Sequence, residues 1–330
     1  MAYRGNVLVT GAGGFVGCHL VTYLKRQGYW VRGVDLKYPD FSSHAADDFL
    51  LLDLRRQDDC FEATRNVEEV YALASDTGGS EFLSSRKAYS TYNNLLINLH
   101  TLEAARTRRI KRYLFTSSLA TAFDPWTSIS GVAPPTTERN FLLRQQTVAL
   151  EQQLGERLCL HYSADYGIET RVVRLPNVFG PLSPWESGKE RAPAALCRKI
   201  ATAKLTGSSD IEIWGDGEQL RSFCYIDDCV SALYQAMLSS HPVSVVSGAA
   251  SPLTINQLAD IITRIAGIQV SKKYTPVPEN PLRPPPDDAT TPRVASTDPL
   301  ASIEQGLVNT YAWIEDRVRA QLARTSTSIL

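Results

Sequence analysis

Short apolar runs alternate with helical patterns through the first 175 residues of the chain. Asn6–Thr10 reads Asn-Val-Leu-Val-Thr, an apolar run rich in β-branched residues that predicts a buried strand. Gly11-Ala-Gly-Gly-Phe-Val-Gly17 follows at once, His19–Arg26 predicts an amphipathic helix closed by Gly28, and Trp30–Asp35 predicts a second strand. Further strands are predicted at Phe49–Leu54, Val67–Leu73, Arg112–Thr116 and Glu169–Leu175, with long helices at Tyr89–Thr107 and from about Leu142 to Tyr166. Strands alternating with helices at this spacing predict an α/β fold built on a doubly wound parallel sheet. Ligands on such sheets sit outside the carboxyl ends of the strands, where Thr10, Asp35, Asp53, Asp76 and Ser117 all fall.

Beyond Leu175 the pattern changes. Pro, Trp and mixed charge become more frequent, strands are predicted at Ile211–Gly217 and Ser222–Asp228, and Thr254 with Gln257 forms a capping box for a helix ending at Gly267. Residues 124–140 read as a Pro- and Ser/Thr-rich loop, and Pro276–Pro292 as a structured arm carrying Arg283. These changes divide the chain into a dinucleotide-binding-type domain, 1–175 with about 223–248, and a smaller substrate domain, 176–222 and 249–330.

Composition narrows the class. The 330 residues carry 34 Lys+Arg against 35 Asp+Glu, which leaves no global field to attract nucleic acid or an anionic membrane. No apolar run approaches the roughly 20 residues a bilayer demands. With no cleavable signal before the first strand, the expected location is cytoplasmic. Six cysteines show neither a CxxC pair nor zinc spacing, so they are expected as reduced, mostly buried thiols.

The chemistry starts at Gly11, Gly14 and Gly17. A strand, a glycine turn and a helix N-terminus offer free backbone N–H groups and a positive dipole end to a pyrophosphate. A carboxylate roughly 20 residues further on can take ribose hydroxyls, and Asp35 stands there. The spacing resembles the short-chain dehydrogenase/reductase superfamily, in its extended nucleotide-sugar branch. That resemblance places Asp53 near an adenine ring.

Longer runs narrow the resemblance. Ala74–Gly79, Tyr92-Asn93-Asn94, Pro176–Pro181, Trp185–Arg191, Ala192–Lys199, Trp214–Phe223 and Tyr225–Cys229 are similar to the GDP-mannose 3,5-epimerase family over nearly the whole chain. The resemblance implies that Gly78, Gly79, Ser117, Asn177, Lys199, Gln219, Arg221 and Arg283 hold GDP and its sugar, with Glu190 beside them. Such a set suits the ligand, since a diphosphate wants Arg forks and a Lys charge while sugar hydroxyls want Asn, Gln and Glu.

Four chemical positions depart from that family. The Tyr and Lys that move a hydride and a proton are Val148 and Gln152 here, and the epimerase's Cys and Lys acid/base pair is Ala120 and Arg191. Valine and glutamine exchange no proton at neutral pH, and Arg stays charged, so it holds anions and is a poor donor of protons. The expected function is therefore a GDP-sugar isomerase without hydride transfer. It is read as a pyranose/furanose mutase resembling the epimerase-derived mutases of antibiotic pathways. Its catalytic residues are Arg191, Glu190 and Asp124, helped by a divalent metal (Mn²⁺ or Mg²⁺) whose ligands the sequence leaves unassigned. NAD is expected, if held, as a structural ligand of Gly11, Gly14, Gly17, Asp35 and Asp53. The alternatives are a non-catalytic GDP-sugar-binding protein and an NAD-dependent epimerase with rearranged catalytic residues. The helices at Tyr89–Thr107 and Leu142–Tyr166 resemble the pair that makes a four-helix dimer interface in this superfamily, so a homodimer is expected.

Overall fold

The computed structural model describes residues 3–76, 87–119, 136–186, 188, 190–247, 252–276, 291–296 and 303–327, with the backbone alone for 87, 136–150 and 326–327. Eight strands form one sheet: β1 (Asn6–Thr10), β2 (Trp30–Asp35), β3 (Asp48–Leu51), β4 (Glu69–Ala72), β5 (Arg112–Ser118), β6 (Glu169–Leu175), β11 (Val243–Val246) and β14 (Arg293–Val294). Their order is β14-β11-β6-β5-β4-β1-β2-β3 and every neighbouring pair is parallel. The chain starts in the middle of the sheet and winds outward in both directions, so the two halves diverge beside β1.

Successive strand residues point to opposite faces, and both faces here are covered. Val7, Val9, Val31, Tyr71, Leu114 and Val173 belong to one core, with Leu20 and Leu24 of α1 (Phe15–Arg26) and Cys229, Leu233 and Met237 of α6 (Ile226–Leu238). Leu8, Val34, Val70, Tyr113 and Val172 belong to the other, with Cys60 of α2 (Gln57–Ala63) and Leu102, Ala104 and Ala105 of α3 (Lys87–Thr107). Burial on both faces is why the strands read as continuous apolar runs. The next helix, α4 (Thr136–Tyr166), packs on α3, β5 and β6.

Smaller elements follow. β7 (Asn177–Phe179) pairs in parallel with β10 (Phe223–Tyr225), β8 (Asp210–Trp214) with β13 (Ser271–Thr275), and β9 (Leu220–Arg221) runs antiparallel to β12 (Leu253–Thr254). Helices α5 (Ala192–Thr206), α7 (Ile255–Ala266) and α8 (Ile303–Thr327) pack together beside them. The capping box is present, with Gln257 N–H donating to Thr254 Oγ1 at 3.1 Å and Thr254 N–H donating to Gln257 Oε1 at 2.8 Å. The same helix ends on Gly267 at φ +68°. All six cysteines are free, five of them buried.

Some boundaries differ from the sequence reading. α1 begins at Phe15, four residues before the periodic pattern, because its first turn wraps the glycine turn. α4 begins at Thr136, inside the segment expected as loop. β14 joins the large sheet from within 249–330, the stretch assigned to the substrate domain, since Val294 is buried and its backbone pairs with β11. Most of the proline-rich arm, 277–290, lies outside the described residues. Among the described residues, no helix is long and apolar enough to cross a membrane.

Candidate functional site

The glycine turn is built by close approach. Gly11 sits at φ +70°, and a Cβ there would come to 2.9 Å from the Ala74 backbone nitrogen. A Cβ on Gly17 would lie 2.0 Å from the Gly11 carbonyl oxygen, so the helix seats against the turn only because that hydrogen is all the side chain there is. Gly14 caps α1 in extended geometry, and its N–H donates to Gly11 O at 3.0 Å. Thr10 Oγ1 accepts from both Leu73 and Ala74 N–H, at 3.1 and 3.0 Å, and ties the carboxyl end of β4 to that of β1.

Asp35 is aimed at this turn. Its Oδ2 accepts from Gly13 N–H at 3.0 Å and Oδ1 from Lys37 N–H at 3.3 Å, while burial raises its carboxyl above the ordinary range. Asp53 stands two residues past the end of β3 and is engaged by Arg55, which donates from Nη2 at 2.6 Å and from Nε at 2.8 Å. That fork holds the Asp53 carboxyl below its ordinary value. Asp53 thus anchors Arg55, whose Nη1 reaches Tyr89 Oη and Asn93 Oδ1, both at 3.4 Å.

The second group gathers around β8, β9 and β10. Lys199 Nζ donates to the Glu212 carbonyl at 2.8 Å and lies 5.9 Å from the centre of the Trp214 ring, and burial lowers its pKa. Gln219 Nε2 reaches the Trp214 carbonyl at 3.5 Å, and its Oε1 is buried without a hydrogen-bond partner. Asn177 donates from Nδ2 to the Ser222 carbonyl at 3.1 Å. Arg221, next along, donates to Leu220 O at 2.9 Å, and burial lowers its pKa. Ser117 is 4% exposed, within β5.

Arg191 is the N-cap of α5, and no side-chain bond caps that helix. Enough protein surrounds its guanidinium to draw its pKa down by desolvation. The residue is nonetheless open to solvent, and that exposure keeps it charged. Glu190 does not pair with it. Glu190 Oε1 accepts from Arg198 Nη2 at 2.7 Å, and Oε2 is buried with no partner. Gly78, Gly79, Ala120, Asp124 and Arg283 lie outside the described residues, as does the Val148 side chain.

Asp76, Asn93 and Asn94 meet Glu151 in a polar network. Asn94 Oδ1 accepts from Asp76 N–H at 2.6 Å, and its Nδ2 donates to Glu151 Oε1 at 2.8 Å. Asn93 Nδ2 donates to Asp76 Oδ2 at 2.9 Å. Asp76 and the Tyr92-Asn93-Asn94 run stood out in the chain, and Glu151 is the partner that the sequence did not announce. Among the described residues, no group of three or more His, Cys, Asp or Glu side chains is placed to hold a metal, so the expected metal site finds no support there.

A model described as the NAD dependent epimerase/dehydratase family matches residues 7–246. The chain belongs to that family. GDP-mannose 3,5-epimerase 1 of Oryza sativa subsp. indica is 33% identical over 322 residues, covering 96% of this chain and 83% of the relative. Among solved structures, UDP-N-acetylglucosamine 4-epimerase from Methanobrevibacter ruminantium, in complex with UDP-N-acetylmuramic acid, superposes with a TM-score of 0.74. Its sequence identity is 21%, over 96% of this chain and 100% of that one. The UDP-glucose 4-epimerase of Thermus thermophilus, in complex with NAD, gives 0.68 and 20%, over 94% and 98%. The family's dinucleotide fits what stands at the turn. Gly11 and Gly17 leave room for close backbone approach, α1 points its N-terminus there, and Asp35 supplies a carboxylate for ribose hydroxyls.

Proposed function

We propose that this protein is a GDP-sugar isomerase that works without hydride transfer, interconverting pyranose and furanose forms of a GDP-hexose. The observation that carries the reading is the pair Val148 and Gln152 on α4, where the family's proton-moving Tyr and Lys would stand. The relationship to GDP-mannose 3,5-epimerases supports the GDP-sugar part. A fixed dinucleotide would be held by Gly11, Gly14, Gly17, Asp35 and Asp53, the last of which pairs with Arg55.

Ring-form exchange balances without an oxidant. The sugar O4 attacks C1 as the C1–O bond to GDP breaks, and the O4 proton passes to a carboxylate, Glu190 or Asp124. The resulting 1,4-anhydro sugar is reopened as GDP attacks C1 and the C1–O5 bond breaks in the same step. O5 takes the proton back, leaving a furanose. Charge building on departing GDP is met by Lys199, Arg221 and Arg283, with Arg191 at the glycosidic oxygen. A divalent metal, if one is held, would supply further charge stabilisation to the departing diphosphate, and EDTA followed by Mn²⁺ or Mg²⁺ would then switch turnover off and on.

The test is a panel of GDP-hexoses, with and without metal, read by NMR of the anomeric protons. New furanose signals are expected. In parallel, adding substrate with NAD or NADP should give no steady absorbance change at the NADH wavelength. Such a change would establish instead the second reading, an NAD-dependent epimerase with rearranged residues, which the 33% identity favours. Binding of GDP without any product would leave a binding protein.

Assembly and location belong to the same proposal. The division into a dinucleotide-type unit and a substrate unit stands as proposed, with β14 moved to the former. The location is the cytoplasm. Tyr92 and Leu99 on α3 and Leu154 and Tyr166 on α4 are exposed apolar side chains, and a homodimer would cover them. Light scattering should give about twice the 36.5 kDa chain mass, and a monomer at micromolar concentration would contradict the dimer.

A further inference from the structure

Glu151 is 4% exposed on α4, one residue before Gln152. Its Oε1 accepts from Asn94 Nδ2 at 2.8 Å, and Thr91 donates to the same carboxyl. Its Oε2 is buried with no partner, and so is the neighbouring Gln152 Oε1. The Asn94 amide that Glu151 holds also grips both sides of one residue. Its Oδ1 accepts from Asp76 N–H at 2.6 Å, and its Nδ2 reaches Asp76 O at 3.4 Å. Asp76 lies just beyond β4, at the carboxyl edge where the glycine turn and Thr10 meet.

An ionised carboxylate accepts a stronger hydrogen bond than a neutral acid, and a neutral acid carries a proton that must itself be donated. A change of charge at Glu151 therefore changes the grip of Asn94 on Asp76. Burial opposes the charge most, and the Asp76 carboxylate adds to that opposition. Other ionisable groups on the elements packed around α4 are tied elsewhere. Glu156 pairs with Arg174, Arg171 with Glu169, Glu103 with Arg106, and Arg112 with Glu69. Among the described residues His100 on α3 also lies in this surround, with Nδ1 buried and unpartnered.

We propose that Glu151 is a positioning residue whose charge state sets, through the Asn94 amide, how the Asp76 turn is held beside the sugar end of the site. The inference rests on the GDP-sugar reading for its consequence, and its structural half is testable without any ligand. In amide NMR of the whole protein, the Asp76 N–H resonance should move with a midpoint near pH 7. It should stay flat in Glu151→Gln, and Asn94→Ala should uncouple it while Glu151 still titrates. GDP-mannose and GDP serve as probes for the consequence. The ratio of their dissociation constants should change about tenfold between pH 6 and pH 8 in the wild type and stay constant in Glu151→Gln. An Asp76 resonance that titrates equally in wild type and Glu151→Gln, or that does not titrate in the wild type, overturns the proposal. If the Asp76 resonance behaves as expected while neither probe binds, the link stands and the GDP-sugar reading fails.

Discussion

Arg191→Ala should lose turnover 30-fold to 1,000-fold while its affinity for GDP changes by less than about threefold. Arg191 is the cation proposed to stand in for the family's lysine, and its side chain makes no hydrogen bond or ion pair among the described residues, while its backbone carbonyl accepts from Ala195 N–H at 2.9 Å. Glu190, the neighbouring carboxylate, is committed to Arg198 at 2.7 Å. A guanidinium placed where charge develops on a leaving diphosphate stabilises the transition state more than the ground state. Removing one such donor typically costs about 2–4 kcal/mol of barrier. The split between turnover and affinity is the informative part. Lys199→Ala, by contrast, should weaken GDP binding, because Lys199 lies against Trp214 and the Glu212 carbonyl, in the part of the site assigned to the nucleotide. Equal losses of GDP affinity in both variants, measured by calorimetry, would move Arg191 out of the catalytic role.

The second large effect is on stability. Burial pushes the Glu151 carboxyl up to about 7. Because its folded-state pKa lies above the unfolded one, its contribution is fully present below the unfolded value of about 4.3 and is lost as pH rises through 7. Between pH 5 and pH 8 the loss amounts to roughly 2.5 kcal/mol. For a chain of 330 residues that is a fall of about 4 °C in melting temperature between pH 5 and pH 8. Glu151→Gln carries no charge to bury and should flatten this limb, which differential scanning calorimetry across that range would read. A wild-type and a variant that lose stability in parallel would show that other groups cause the fall.

The strand frame was legible from the chain because its sheet is buried on both sides. Val7, Val9, Val31 and Val173 face one core while Leu8, Val34 and Val172 face the other, and a run apolar at every position is the mark of such burial. The glycine turn was equally legible, since the approach of Gly17 to Gly11 O demands the residue type found there. β14 was not. Two residues, Arg293 and Val294, carry too little pattern to be distinguished from the proline-rich segment before them, and only pairing with Val245 and Val246 reveals them.

The partnerships of the candidate site residues were not legible in the sequence. Asp53, expected near an adenine ring, pairs with Arg55 two residues on, a local ion pair that spacing alone does not announce. Glu190 looked like a neighbour of Arg191, yet helical geometry brings Arg198 round to it. Glu151 carried no signal by itself, and its importance depends on Asn94, distant in sequence and adjacent in space.

The most direct test of a non-redox isomerase is incubation of the protein with GDP-mannose and related GDP-hexoses in D₂O, followed by proton NMR of the sugar. Epimerisation at C3 and C5 through a 4-keto sugar removes the C–H protons beside the carbonyl and returns deuterons from solvent. Ring-form exchange breaks no C–H bond. The predicted result is a furanose anomeric signal in a product whose C3, C4 and C5 all keep their protons. Deuterium at C3 or C5 would contradict it and restore the redox chemistry that Val148 and Gln152 speak against.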